Sequence, residues 1–432
     1  MIIKNISILS FSTLTVRRDV DILVEEGVIK RIGSGIQAGN YQGKIVDGRG
    51  MYLFPGLTNN HSHTAMTLLR GAAEDVPVAD WFNKHVWIYE RSLTPRDVYV
   101  GTLLGAAEML LSGVTAVADH YFYMDQAFQA YQVSGMRAHL SWAVFGSGEG
   151  SEKQLQEARR FVRNYAGRDK KIMISMGPHS PYLCSDAFLR RIADEAEALN
   201  LPIHIHVSET REQVQRSLEE RGITPVQVLE KTGILRKGTI LAHAYWATDE
   251  DLELIQKRGA GIAHCAKTYM KFGDVTNLLV RALSAGIPVG FGSDGCASNN
   301  TLDIFETARD AALLAKCASH DPVQGSIGEI LPLMTNGNII GLENYGEVVV
   351  GAPADFVCIT PSTPGMIPGN SIFADILYAL NNRNIALVIV DGEIVVQDGK
   401  LLTFDFDDLK QEAAALGSRL FSTEADTPLQ QY

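Results

Sequence analysis

No apolar run in the chain approaches the roughly 20 residues that a helix needs to cross a bilayer, which sets aside a helical membrane protein. Positive charge is also short: 38 Lys and Arg stand against 50 Asp and Glu, a formal net charge of -12. Nucleic-acid surfaces need clustered cations to neutralise phosphates, so that class of partner is disfavoured. Cysteine is scarce and scattered. The five, Cys184, Cys265, Cys296, Cys317 and Cys358, contain no Cys-x-x-Cys, so neither a disulfide framework nor a zinc knot is expected. Met1-Ile2-Ile3-Lys4-Asn5 lacks the charged-then-apolar layout of a secretion signal. With reduced thiols, that predicts a cytoplasmic protein. The acidic cluster Asp405, Asp407 and Asp408 reads as a solvated surface patch.

What is present is ample core and a regular alternation. With 46% hydrophobic and 20% charged residues over 432 positions, the chain can bury one large domain and a smaller one. Ile2 to Leu9, Asp21 to Glu25 and Val28 to Ile32 read as strands, as do Asp355 to Ile359, Ile385 to Val390 and Glu393 to Val396. Glu26-Gly27, Asp391-Gly392 and Asp398-Gly399 are hairpin-type turns. These β-rich ends predict one small β-sandwich built from both termini. Between them, strand candidates at 114–119, 137–143, 172–177, 203–207, 239–243, 261–264 and 289–293 alternate with helical stretches such as 98–112, 187–199 and 302–316. Adding the strand that leads into His61 gives eight strand–helix units, the count of a closed parallel barrel. The expected fold is therefore α/β: a distorted (β/α)8 barrel over 55–344, with the sandwich from 1–54 and from 345–432, the latter including a C-terminal tail.

His61 and His63 are one residue apart. On a strand they face the same way and can grip one ion. His206, in His204-Ile205-His206, and Asp294, in Gly292-Ser293-Asp294-Gly295, end apolar strands and complete a set of three nitrogens and one oxygen. A hydrolytic zinc-like site wants such a set with one open position, and the ion then lowers the pKa of its water to roughly 7. The competing readings are a core histidine for His206 and a helix N-cap for Asp294. Glu209, three residues after His206, suits general acid–base work, and equally the first turn of a helix. His243 ends the sixth strand, where it would orient the attacking hydroxide or simply pack. His120 and His264 sit near strand ends with weaker claims. The fourth strand carries no lysine, which disfavours a lysine-bridged pair of ions and favours one ion, with zinc, iron and manganese all compatible.

Taken together, Pro55-Gly56-Leu57 before His61-x-His63, Gly177-Pro178-His179-Ser180-Pro181-Tyr182, His206-x-x-Glu209, His243, Gly292 to Asn300 and Gly351-Ala352-Pro353-Ala354-Asp355 resemble the amidohydrolase superfamily. Within it the chain looks most like the 5′-methylthioadenosine/S-adenosylhomocysteine deaminases. The resemblance implies that His61, His63, His206 and Asp294 hold the metal, that Glu209 protonates a ring nitrogen and that His243 holds the water. It also implies Glu90 for the ribose hydroxyls, with Arg137 and His179 lining the pocket; the competing readings are a surface helix residue for Glu90 and a strand-flanking salt bridge for Arg137. Three places depart from the family pattern: His120, the run Ser141-Trp142-Ala143-Val144 without an arginine, and Cys265 to Gly273 with Lys267-Thr268-Tyr269. The expected activity is hydrolytic removal of an amino group from a nitrogen heterocycle, foremost an adenosine derivative. An s-triazine or guanine/pterin-type substrate is the alternative within hydrolases, and a non-catalytic binding or assembly barrel the alternative outside them. Symmetry statistics favour a homo-oligomer, a dimer or higher.

Overall fold

The structure is a computed structural model, and it describes residues 1–37, 39, 41–146, 148 and 150–422. Eight parallel strands form the barrel in chain order: Leu57–His63, Val114–Tyr121, Arg137–Val144, Ile172–Pro178, Ile203–Val207, Thr239–His243, Gly261–His264 and Val289–Phe291. Their inward and outward faces are both buried, as expected where helices cover a parallel sheet. Helix Asp186–Ala198 shows how: Phe188, Leu189, Ile192, Ala193 and Ala196 recur on one face and are buried against the strands.

The eighth strand is where the barrel is distorted. It breaks at Gly292-Ser293 and resumes as Asp294–Gly295, which pairs with Ser62 and His63 of the first strand. Across the break, side chains replace the ladder. Asn59 donates to Ser293 Oγ (2.7 Å) and accepts from Ser293 N–H (2.9 Å), and Asn60 Nδ2 donates to the Phe291 carbonyl (3.3 Å). A Cβ on Gly290 would lie 2.3 Å from Asn60 Nδ2, so the seam needs glycine there.

The two chain ends build one nine-stranded sheet. Its order is Lys400–Leu401, Glu393–Gln397, Ile385–Val390, Phe356–Ile359, Tyr52–Pro55, Ile2–Ser10, Thr15–Glu25 and Val28–Gly33, with Ile45–Asp47 beside Ile2–Ser10. The sheet bends back on itself: Ile29 N–H donates to the Ala352 carbonyl (3.0 Å) and Gly351 N–H to the Ile29 carbonyl (2.9 Å). Ile6, Ile22, Leu53, Phe356 and Ile389 are sealed inside the bend, so a single folded sheet supplies both layers. At the expected hairpin turns both central residues have positive φ, for example Asp391 (52°) and Gly392 (80°). After the sheet, helix Phe406–Phe421 returns to the barrel, where Glu412 pairs with Arg96 and Arg419 with Asp97, each at 2.6 Å. Among the described residues no helix is long and apolar enough to cross a membrane.

Candidate active site

The period-two pleat carries His61 and His63 to the barrel mouth from the first strand, and His204 and His206 from the fifth. The ligand atoms of His61, His63 and His206 all lie within 4.8 Å of one another, as do those of His61, His243 and Asp294. Asp294 Oδ1 is 3.6 Å from His61 Nε2 and 3.4 Å from His63 Nε2. Its other oxygen accepts from Ser298 Oγ (2.7 Å) and Thr268 Oγ1 (3.1 Å), which fixes the oxygen that faces the histidines. Asp294 does not cap the helix that follows; Gly295 holds that position and makes no side-chain cap.

The donor set fits a cation. His63 Nδ1 sits 2.5 Å from the His120 carbonyl and His206 Nδ1 2.9 Å from the His179 carbonyl. A carbonyl only accepts, so each Nδ1 carries a proton and Nε2 is the atom turned toward a shared cation. Those two Nε2 atoms are 3.1 Å apart, a repulsive arrangement unless a cation shares them. His61 Nε2 is buried with no hydrogen-bond partner, while its Nδ1 meets His204 Nε2 at 2.8 Å. Burial pushes the His61 imidazole down to about 3 against the pull of Asp294, and holds His206 well below the usual histidine range. Both rings are thus neutral and able to ligate. For Asp294 burial acts upward, but His61, His243 and His63 outweigh it and keep the carboxyl well below its ordinary value.

Glu209 lies just outside helix Arg211–Arg221, whose N-cap is Thr210, so the carboxylate is free of a capping task. It is buried, and burial raises its pKa against the opposing pull of His243. Its Oε1 is 3.8 Å from His243 Nε2, and its Oε2 accepts from the Tyr182 hydroxyl at 3.3 Å. Ser208, His243 and Asp294 all adopt positive φ (47°, 73° and 59°), conformations that non-glycine residues hold under strain and that cluster at functional sites. Glu90 reaches the same pocket from helix Trp87–Glu90 and accepts from the Tyr121 hydroxyl at 2.6 Å. His179 also lines it, its ring stacked between Phe145 (4.8 Å) and His206 (4.6 Å).

Arg137 is not in the pocket, which corrects the sequence expectation. It opens the third strand at its amino end, opposite the active mouth, paired in register with Ala116. There it makes two bonds to Asp355 (2.8 and 3.0 Å) and one to Asp391 (3.2 Å), joining the barrel to the small sheet. Of the weaker histidines, His120 lines the pocket and supports His63 through its carbonyl, whereas His264 packs beside Tyr269 (5.2 Å) outside it. Sequence reasoning missed His204, although its two-residue spacing from His206 put it on the same face. It also missed the hydroxyls of Thr268 and Ser298, for which no motif speaks. Lys170 and Lys171 are engaged with Asp391 (2.7 Å) and the Gly135 carbonyl (3.2 Å) rather than with the site.

A parallel barrel whose mouth gathers three imidazoles, a carboxylate and a buried acid defines a metal-dependent hydrolase. The sequence matches the model of the amidohydrolase family over residues 52–395, and the chain belongs to that family. It is 37% identical over 409 residues to a 5-methylthioadenosine/S-adenosylhomocysteine deaminase of Desulforudis audaxviator, covering 93% of this chain and 95% of that one. With a 5′-deoxyadenosine deaminase of Methanosarcina mazei it shares 35% identity over 92% of this chain and 93% of the relative. The structure is similar to an adenosine deaminase from Xanthomonas campestris solved with bound zinc, with a TM-score of 0.92, 28% identity and 98% of each chain covered. An atrazine chlorohydrolase from Arthrobacter aurescens shares the fold at TM-score 0.89 and 23% identity, over 96% of this chain and 99% of that one.

Proposed function

We propose that the chain is a hydrolytic deaminase that converts the amine-bearing carbon of an adenine ring to a carbonyl and releases ammonia. Its substrate would be an adenosine derivative such as 5′-methylthioadenosine, 5′-deoxyadenosine, S-adenosylhomocysteine or adenosine. His61, His63, His206 and Asp294 Oδ1 would hold one divalent ion, zinc in the first instance, whose contribution when bound is to bring the pKa of a water to about 7. Glu209, its pKa raised by burial, is placed to give a proton to the ring nitrogen. That proton makes the neighbouring carbon electrophilic. His243, beside Glu209, orients the incoming water. Asp294 takes one proton from that water and returns it to the departing amine, and the proton left on the new oxygen goes back to Glu209 as the carbonyl forms. Water and the amino heterocycle are thus exchanged for ammonia and the oxo heterocycle. Glu90 can accept two hydrogen bonds from a vicinal diol, and His179 offers a ring face.

The observation that carries this reading is that Glu209 opens onto the same pocket as His63, His206 and Asp294, with the ligand atoms of His61 beside theirs. Ammonia release from a panel of adenosines, guanine, pterins and s-triazines tests it. Turnover of at least one adenosine derivative is expected. Activity confined to triazines, guanine or pterins would overturn the substrate, and no turnover together with no bound metal would support a non-catalytic barrel. The native mass of the purified protein checks the proposed homo-oligomer, and cell fractionation the proposed cytoplasmic location.

A further inference from the structure

On the proposed reading of the metal centre, each imidazole ligand needs a proton on Nδ1 so that Nε2 can face the ion. His63 and His206 meet that need on backbone carbonyls, those of His120 and His179. A carbonyl can only accept, so the fold itself fixes those two protons. His61 is different. Its Nδ1 meets a side chain, His204 Nε2 at 2.8 Å, and an imidazole nitrogen can either donate or accept there. Both rings are fully buried and held neutral by that burial. If His61 Nδ1 donates, His61 Nε2 is open to a cation. If His204 Nε2 donates, His61 must carry its own proton on Nε2, the atom that faces Asp294 Oδ1 at 3.6 Å, and cannot ligate.

The surroundings of His204 favour the first arrangement, in which its own proton lies on Nδ1. That nitrogen is buried and has no hydrogen-bond partner in the protein. The neighbouring ring is His120, with centres 5.3 Å apart. His120 Nε2 faces the Gly177 carbonyl at 3.2 Å and therefore holds the His120 proton. His120 Nδ1 is left as a buried lone pair, likewise without a partner. A ring that offers the barrel interior only a lone pair thus stands next to His204 and favours a proton on His204 Nδ1. We infer that His204 is a positioning residue of the metal centre: it accepts the His61 proton, keeps His61 Nε2 open and so sets the affinity for the ion. His120, one of the departures from the family pattern, backs His204 with its ring and holds His63 with its carbonyl.

The test is the zinc affinity of the full chain, measured by competition with a chromogenic chelator. His204→Leu cannot accept the proton, and His204→Asn has an amide too short to reach it; both are expected to bind zinc about 10–100-fold more weakly. His204→Gln brings an amide oxygen to where His204 Nε2 stands and is expected to stay within about threefold of the unsubstituted chain. His139→Leu is the control for barrel packing. His139 is also a buried barrel histidine, but its Nδ1 meets the Ile340 carbonyl (2.9 Å), and it lines a groove at the opposite end with Thr239 and Gly261, the first residues of their strands. Its zinc affinity is expected to stay within about threefold as well. Unchanged affinity in His204→Leu and His204→Asn, or a loss in His204→Gln equal to theirs, would overturn the role of His204. An equal loss in His139→Leu would also overturn it, by making the effect one of packing. No zinc binding by the unsubstituted chain would instead overturn the metal centre on which the inference rests.

Discussion

Arg137→Met separates a structural role from a substrate role at the one position where motif and structure disagree. The Arg137 side chain is 9% exposed and its partner Asp355 only 1%. Removing the guanidinium leaves Asp355 buried with two donors, the Tyr345 hydroxyl at 3.1 Å and the Asp391 N–H at 2.9 Å. Breaking a buried pair by deleting one partner costs about 3–5 kcal/mol. The two surviving donors place this case near the lower end, at about 3 kcal/mol, and Asp391 keeps Lys170 at 2.7 Å. Denaturant unfolding monitored by tryptophan fluorescence measures the loss. KM and kcat of the folded fraction are expected to stay within about twofold, because the guanidinium sits at the opposite end of the barrel from the chemistry. The double variant Arg137→Met/Asp355→Leu is expected to recover most of the stability, since replacing both charges leaves none uncompensated. A KM raised about tenfold with unchanged unfolding free energy would refute this placement and return Arg137 to the pocket.

Other outcomes follow from the site and the seam. Glu209→Gln is expected to lower kcat by about 10²–10⁴-fold while metal content is retained; a loss of metal in step with activity would make Glu209 a ligand instead of an acid. Burial pushes the Glu90 carboxyl up to about 7 despite the Tyr121 hydroxyl and the nearby His63. Only its ionised form accepts both diol hydrogens, so KM for ribosides should fall as pH rises from about 6 to 8 and become flat in Glu90→Gln. The stability sign is opposite. A carboxyl whose folded pKa exceeds its unfolded value binds more protons when folded, so its contribution is lost as pH rises from 4.5 to about 7. A titration of unfolding free energy in Glu90→Gln should lack that decline. Gly290→Ala would push a methyl to within 2.3 Å of Asn60 Nδ2 and is expected to cost about 1–3 kcal/mol, measured by thermal unfolding; an unchanged melting temperature would mean that the seam is not closed as described.

The barrel and most of the site were legible because two periodicities wrote them into the chain. The two-residue repeat of His61/His63 names a face, and the alternation of short apolar runs with amphipathic helices names the layers. The same repeat pointed to His204, whose ring supports His61, but attention to the ligand alone passed it over. For Arg137 the sequence left a pocket role and a strand-flanking salt bridge open, and the structure has the salt bridge. It is the first residue of its strand, and barrel chemistry sits at the other end. The hydroxyls of Thr268 and Ser298 reach Asp294 from two separate short helices, Ala266–Lys271 and Cys296–Asn299, and no local pattern encodes such convergence. The folding of the small sheet onto itself was equally hidden, because the Ile29–Ala352 bond joins residues hundreds of positions apart.

The most direct test of the account is an anomalous difference map from crystals of the zinc-loaded protein, recorded at the zinc absorption edge. The account predicts one peak at the barrel mouth, about 2.0–2.2 Å from Nε2 of His61, His63 and His206 and from Asp294 Oδ1. A peak on other residues, or two peaks sharing a bridging ligand, would contradict it.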